Sequence, residues 1–179
     1  MRRIWILLLT FYCQYGLATQ LTEQQLEVWF AASKQLQPII EKIEQENTLQ
    51  DLENPGELAE QMIIQLNHSS HAGKVKDVLS KYDLDLENWA ATTEKVVFAM
   101  LAVNFEEYIP QLELYENMKK ELLENPELTA EDKQQLMESF ETGDQWFTQL
   151  QSVPQSDIDL IAPQVSKISK ELGWEFDAN

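Results

Sequence analysis

His68 and His71 stand three residues apart in Asn67-His68-Ser69-Ser70-His71 and are the only histidines of the chain. On a helix that spacing makes them neighbours, and paired imidazoles can begin a zinc or copper site. Closing such a site takes a third or fourth ligand. The one cysteine, Cys13, lies far upstream, so a distant Asp or Glu would have to supply it. The zinc-protease pattern needs two histidines four apart beside a glutamate, and this segment does not provide it. The competing reading is a pair of solvated loop histidines.

Asp83, Asp85 and Glu94 fall on the first, third and twelfth places of a calcium-binding loop. The sixth place is Asn88 where a sharp turn requires Gly, the seventh is bulky Trp89 and the ninth is Ala91. A loop that enters a helix capped by Asp85 accounts for the same acids and also for Leu84 and Trp89. Other chemistry is thinly supplied. There is no Gly-x-Ser-x-Gly and no phosphate-cradling glycine loop, and only Ser69 and Ser70 lie beside a histidine. Carboxylates such as Glu41, Glu44 and Glu46 read as a solvated helix face rather than an acid/base pair. Trp29, Trp89, Trp146 and Trp174 could line a groove for an aromatic ligand or a peptide. Their helical spacing favours core, with each indole N–H near a helix end where a carbonyl is within reach. Met62, Met100, Met118 and Met137 read as packing.

The elements that would position these residues are helical. Leu21-Thr22-Glu23-Gln24-Gln25-Leu26 is a helix start, with Thr22 as cap, Gln25 reaching back and Leu21 stapled on Leu26. Leu26, Trp29, Phe30, Leu36, Ile40 and Ile43 then recur at three- and four-residue intervals, and Pro38 predicts a kink or short break near Leu36. Asn54-Pro55 marks a second start, with Leu58, Met62, Ile63 and Leu66 as its apolar face. A short helix follows through Val75, Val78, Leu79 and Tyr82, and Asp85 caps a longer one expected to end at Pro110. Leu112, Tyr115, Met118 and Leu122 continue on the next. Thr129 caps another, with Leu136, Met137, Phe140, Phe147 and Leu150 inward and Gly143 a local weakness. The last segment starts at Ser156, divides at Pro163 and stops at Gly173, with Trp174 folding back toward Ile168. No stretch alternates with period two over strand length. The expected fold is all-α, a single orthogonal or irregular bundle of six to eight helices.

Met1-Arg2-Arg3, the apolar run Ile4 to Tyr12, and Gly16-Leu17-Ala18 are the three parts of a secretory signal peptide. Cleavage is expected after Ala18, leaving residues 19–179 as the helical domain. The apolar stretch is shorter than the roughly 20 residues that a spanning helix needs, so no stable membrane insertion is expected once the signal is cut. Tyr12 stands where a lipoprotein signal carries a small residue before its cysteine. The protein is expected in the periplasm or secreted.

Cleavage would remove both arginines and leave 11 lysines against 31 acidic residues, a formal charge of −20. Nucleic-acid binding draws on neutralised phosphates and anionic lipid attracts polybasic segments, so neither partner suits this chain. Without arginine it also lacks the bidentate fork most used for phosphate and carboxylate. Basic or hydrophobic proteins and peptides remain suitable partners.

The signal, Leu21-Thr22-Glu23 opening a helix, Leu86-Glu87-Asn88-Trp89 in the middle, Leu128-Thr129-Ala130-Glu131 later and Ser156-Asp157 through Pro163 at the end resemble a loose group. Its members are small helical exported proteins of Gram-negative bacteria, most with no function assigned. The resemblance implies a compartment and a fold, and transfers no functional residue. The function expected from the whole reading is a non-enzymatic binding or interaction factor, accessory or chaperone-like, that uses an acidic surface or an apolar groove. No cofactor is implied. The alternative is a weak divalent-metal or small-ligand binding protein built on His68, His71, Asp83, Asp85 and Glu94.

Overall fold

The computed structural model describes residues 20–46 and 58–174. These form an all-α bundle: α1 (Glu23–Gln45), α2 (Leu58–His68), α3 (Ala72–Leu79), α4 (Leu86–Val103), α5 (Phe105–Glu124), α6 (Ala130–Ser152), α7 (Gln155–Ile161) and α8 (Val165–Leu172). One-turn 3-10 segments at Ser80–Tyr82 and Ala162–Gln164 join α3 to α4 and α7 to α8. The signal segment 1–18 and the helix start expected at Asn54-Pro55 lie outside the described residues.

The caps form as their side chains dictate. Thr22 Oγ1 accepts the Gln25 N–H at 3.2 Å while Gln25 Oε1 accepts the Thr22 N–H at 3.0 Å, closing a capping box. Thr129 and Asp132 repeat it at α6. The two hydrogen bonds from Thr129 hold the Asp132 carboxyl below its ordinary range. Gly173 takes φ 67° after α8, and the next N–H, of Trp174, donates to the Ser169 carbonyl at 3.0 Å. This is the left-handed stop that glycine permits without steric cost.

The prolines divide the chain less simply than expected. α1 runs through Pro38 without the short break expected near Leu36: Leu36 and Ile43, both fully buried, flank it, and their packing keeps the helix continuous despite the hydrogen bond that proline cannot donate. The long helix capped by Asp85 ends at Asn104, not at Pro110, which lies inside α5. Pro110 has no N–H to donate to the carbonyl of residue 106. The helical run breaks instead at Asn104, which closes α4 and precedes α5. At Pro163 the expected division holds, since α7 stops at Ile161 and α8 starts at Val165.

Helix α4 is the hub and packs on α1, α2, α3, α5, α6 and α7. The main core holds Trp29, Leu36, Val75, Trp89, Met100, Ile161 and Ile168 among others, and every buried member comes from Leu21 or from α1, α2, α3, α4, α7 and α8. The N-terminus of α1 is fixed on α7 by Asp157, 3% exposed, whose Oδ1 accepts the Leu21 N–H at 2.9 Å.

The α5–α6 hairpin stands apart from that core. A smaller aromatic cluster serves it: Phe98 of α4 lies 5.4 Å from Trp146, and Tyr115 lies 5.3 Å from Phe140 and 5.5 Å from Phe147, centroid to centroid. Met118 and Met137, expected to pack, are instead 45% and 39% exposed. The hairpin has too few layers around it to cover them.

Candidate functional site

α1 and α4 meet through an exchange of hydrogen bonds. Trp29 Nε1–H of α1 donates to Thr93 Oγ1 of α4 at 2.8 Å, and Trp89 Nε1–H of α4 donates to Ser33 Oγ of α1 at 2.9 Å. In each helix the tryptophan and the hydroxyl stand four residues apart, one turn along the same face, so each helix offers one donor and one acceptor. The indoles were expected to find carbonyls and find hydroxyls instead. The shared spacing Trp-x-x-x-Ser/Thr is visible in the sequence, but only the crossing of α1 and α4 pairs the two copies. Thr93 Oγ1 in turn donates to the Trp89 carbonyl at 2.9 Å. All four residues are buried, and satisfied polar groups at that depth fix how the two helices cross.

Above this exchange α1, α2, α4 and the end of α8 leave a groove of about 620 Å³, within the usual size of a ligand site. Its walls are apolar: Ile40 of α1, Met62 and Leu66 of α2, Val97 of α4, and Leu172 and Trp174 at the C-terminal end. Trp174 is held there by the turn at Gly173 and by an edge contact of its ring with Trp29, 5.9 Å between centroids. Gln37, Glu41 and Glu44 supply polar groups from successive turns of α1, and Gln37 Nε2 donates to Glu41 Oε1 at 3.2 Å. Two carboxylates and no lysine line the groove among the described residues. It is therefore suited to an apolar group that carries positive charge.

The residues singled out for metal chemistry serve local structure. His68 Nδ1 lies 2.7 Å from the Ile64 carbonyl of its own helix. His71 Nε2 lies 3.2 Å from Glu46 Oε1, and Ser70 Oγ donates to the other oxygen of the same carboxylate at 3.0 Å, which ties the α2–α3 turn to the end of α1. Asp85 Oδ1 accepts the Asn88 N–H at 2.7 Å and caps α4. Asp83 has φ 55° and ends the 3-10 turn before it. Glu94, on α4, accepts the Ala59 N–H at 2.9 Å, so its negative charge sits at the N-terminus of α2, where the helix dipole favours it. Among the described residues no three His, Cys, Asp or Glu side chains gather as a metal ion would require.

Two further polar sites are ion pairs. Lys34 of α1 binds Glu171 of α8, a hydrogen bond that holds the Glu171 carboxyl below its ordinary range. In the hairpin Lys119 pairs with Asp144. There the Tyr115 hydroxyl donates to the Phe140 carbonyl at 2.8 Å and lies 3.3 Å from Asp144 Oδ1. Desolvation first, then the Asp144 charge, pushes the Tyr115 hydroxyl up to about 12.

No family model, curated protein or solved structure matches the chain. No helix among the described residues is long and apolar enough to cross a membrane.

Proposed function

We propose that the protein is an exported, acidic, non-enzymatic binding factor, accessory or chaperone-like in kind, that holds a hydrophobic and positively charged segment of a partner protein or peptide. The observation that carries this reading is the groove between α1, α2, α4 and α8, with an apolar wall and the carboxylates of Glu41 and Glu44 on one side. Export rests on the Arg2-Arg3 start, the apolar run and the Ala18 cleavage position, in keeping with the exported helical proteins that the sequence resembles. The formal charge of −20 after cleavage attracts a basic partner over distances set by the ionic strength. Apolar contact with Met62, Val97 and Trp174 then supplies the short-range part.

The test uses two capped tetrapeptides, Leu-Leu-Lys-Leu and Leu-Leu-Glu-Leu, titrated into the intact protein while tryptophan fluorescence and backbone amide shifts are followed. The lysine peptide should bind about tenfold more tightly, with shifts centred on Met62, Val97 and Trp174, and Glu41→Gln with Glu44→Gln should remove the preference. Equal binding of the two peptides, or no binding of either, would contradict the proposal.

A further inference from the structure

The large apolar side chains that stand into solvent among the described residues are Ile64, Ile109, Leu114, Met118 and Met137, and all but Ile64 belong to the α5–α6 hairpin. Leu114, 70% exposed, and Met118, 45% exposed, are one turn apart on one face of α5. A single exposed leucine is ordinary. A leucine and a methionine in register, on a hairpin that gives no residue to the main core, form a strip of the kind one helix presents to another.

The charge around the strip selects what covers it. Residues 105–152 carry twelve acidic side chains and three lysines. Lys119 is taken up by Asp144 and Lys120 by Glu124, while Glu113, Glu116 and Glu121 have no ion-pair partner among the described residues. A second copy of the chain would bring the same negative field against this one and be repelled. A partner helix with lysine or arginine beside an apolar stripe would meet Leu114 and Met118 with its apolar face, and Glu113 and Glu121 on the adjoining side of α5 with its charges.

We infer that the outer face of α5 at Leu114 and Met118 is a docking surface for a basic amphipathic helix of another protein. This surface is separate from the groove and stands whether or not the groove binds a ligand. It adds a helix-on-helix mode of recognition to a chain already suited by charge to basic partners.

The test uses a synthetic leucine–lysine amphipathic helix about as long as α5, and a scrambled peptide of the same composition with no apolar face, each titrated into the intact protein. The amphipathic peptide should bind at least about tenfold more tightly than the scrambled one, with amide shifts in α5 and α6 that the scrambled peptide does not produce. Leu114→Gln with Met118→Gln should remove that advantage, while Met62→Gln in the groove leaves it intact. Because both hairpin residues are exposed, the double variant should fold as the parent does, which circular dichroism checks. Equal affinity for both peptides, or loss of binding with Met62→Gln alone, would overturn the inference. So would a concentration-dependent dimer that the double variant abolishes, because it would name a second copy as the occupant.

Discussion

Trp89 and Tyr115 do similar work in two parts of the molecule, and the difference between them separates those parts. Each is an aromatic residue that ties one helix to another through a polar hydrogen. Trp89 is 2% exposed, bonds Ser33, and is matched by the reciprocal Trp29–Thr93 bond across the same interface. Tyr115 is only half-buried and bonds the Phe140 carbonyl beside a carboxylate, with no second bond of the same kind facing it among the described residues. The first interface lies within the main core, with the groove above it. The second joins α5 to α6 with α4 against one side, and its outer face carries Leu114 and Met118 into solvent. A core stabilised by burial and a hairpin stabilised by a few local contacts should therefore differ in how, and how easily, they open.

The largest effect that could sharpen this contrast is expected for Trp89→Ala. Removing a fully buried indole and its bond to Ser33 should cost about 3–5 kcal/mol, read as a lower midpoint in urea unfolding. If Tyr115→Ala cost as much, the two regions would not differ as described. Thr93→Val should cost less, about 1–3 kcal/mol, because it keeps the side-chain volume but leaves the Trp29 N–H buried without a partner. A second variant, Ser33→Ala, should remove the other half of the exchange, and the two losses should not add, since both bonds share one interface.

In the hairpin the matching perturbation is Gly143→Ala. A Cβ at residue 143 would sit 2.6 Å from the Tyr115 hydroxyl oxygen, so the ring must swing away and release the Phe140 carbonyl. The expected cost is about 1 kcal/mol, within the range for an overpacked site, and it should fall on α5 and α6 alone. Faster amide exchange in the hairpin with unchanged exchange in α1 and α4 would show this. An equal rise in both would break the comparison.

The smallest effect is one of pH. The Tyr115 hydroxyl is pushed up to about 12 from 10.0, so the folded hairpin holds its proton where the unfolded chain has lost it. Its contribution is complete below pH 10 and declines as pH rises toward 12. Tyr115→Phe should lessen that alkaline loss, which thermal melts at a series of pH values would detect. An identical alkaline slope in the variant would show that Tyr115 does not carry the loss.

The sequence revealed the helices more fully than it did their partners. Thr22, Asp85, Thr129 and Gly173 act where local chemistry said they would, because caps are settled within four residues of chain. Pro38 predicts a kink or short break and Pro110 a helix end because a missing hydrogen bond is a local fact, whereas the burial of Leu36 and Ile43 that keeps α1 continuous at Pro38 depends on other helices. Met118 and Met137 have the period of buried residues, and that period cannot say whether a covering layer exists. The groove combines residues from four helices that lie far apart in the chain. Its tryptophans and its acids were individually visible, but their meeting depended on the crossing of α1 and α4. That crossing follows from two Trp-to-hydroxyl spacings whose significance appears only when they are paired.

Native-state hydrogen exchange of the intact protein, resolved by residue, tests the division between core and hairpin most directly. Amides in the middle of α1 and α4 should exchange only through global unfolding, while those of α5 and α6 should exchange faster through a smaller opening that leaves the core protected. Hairpin amides that exchange as slowly as those of α4, and by the same global event, would contradict the account.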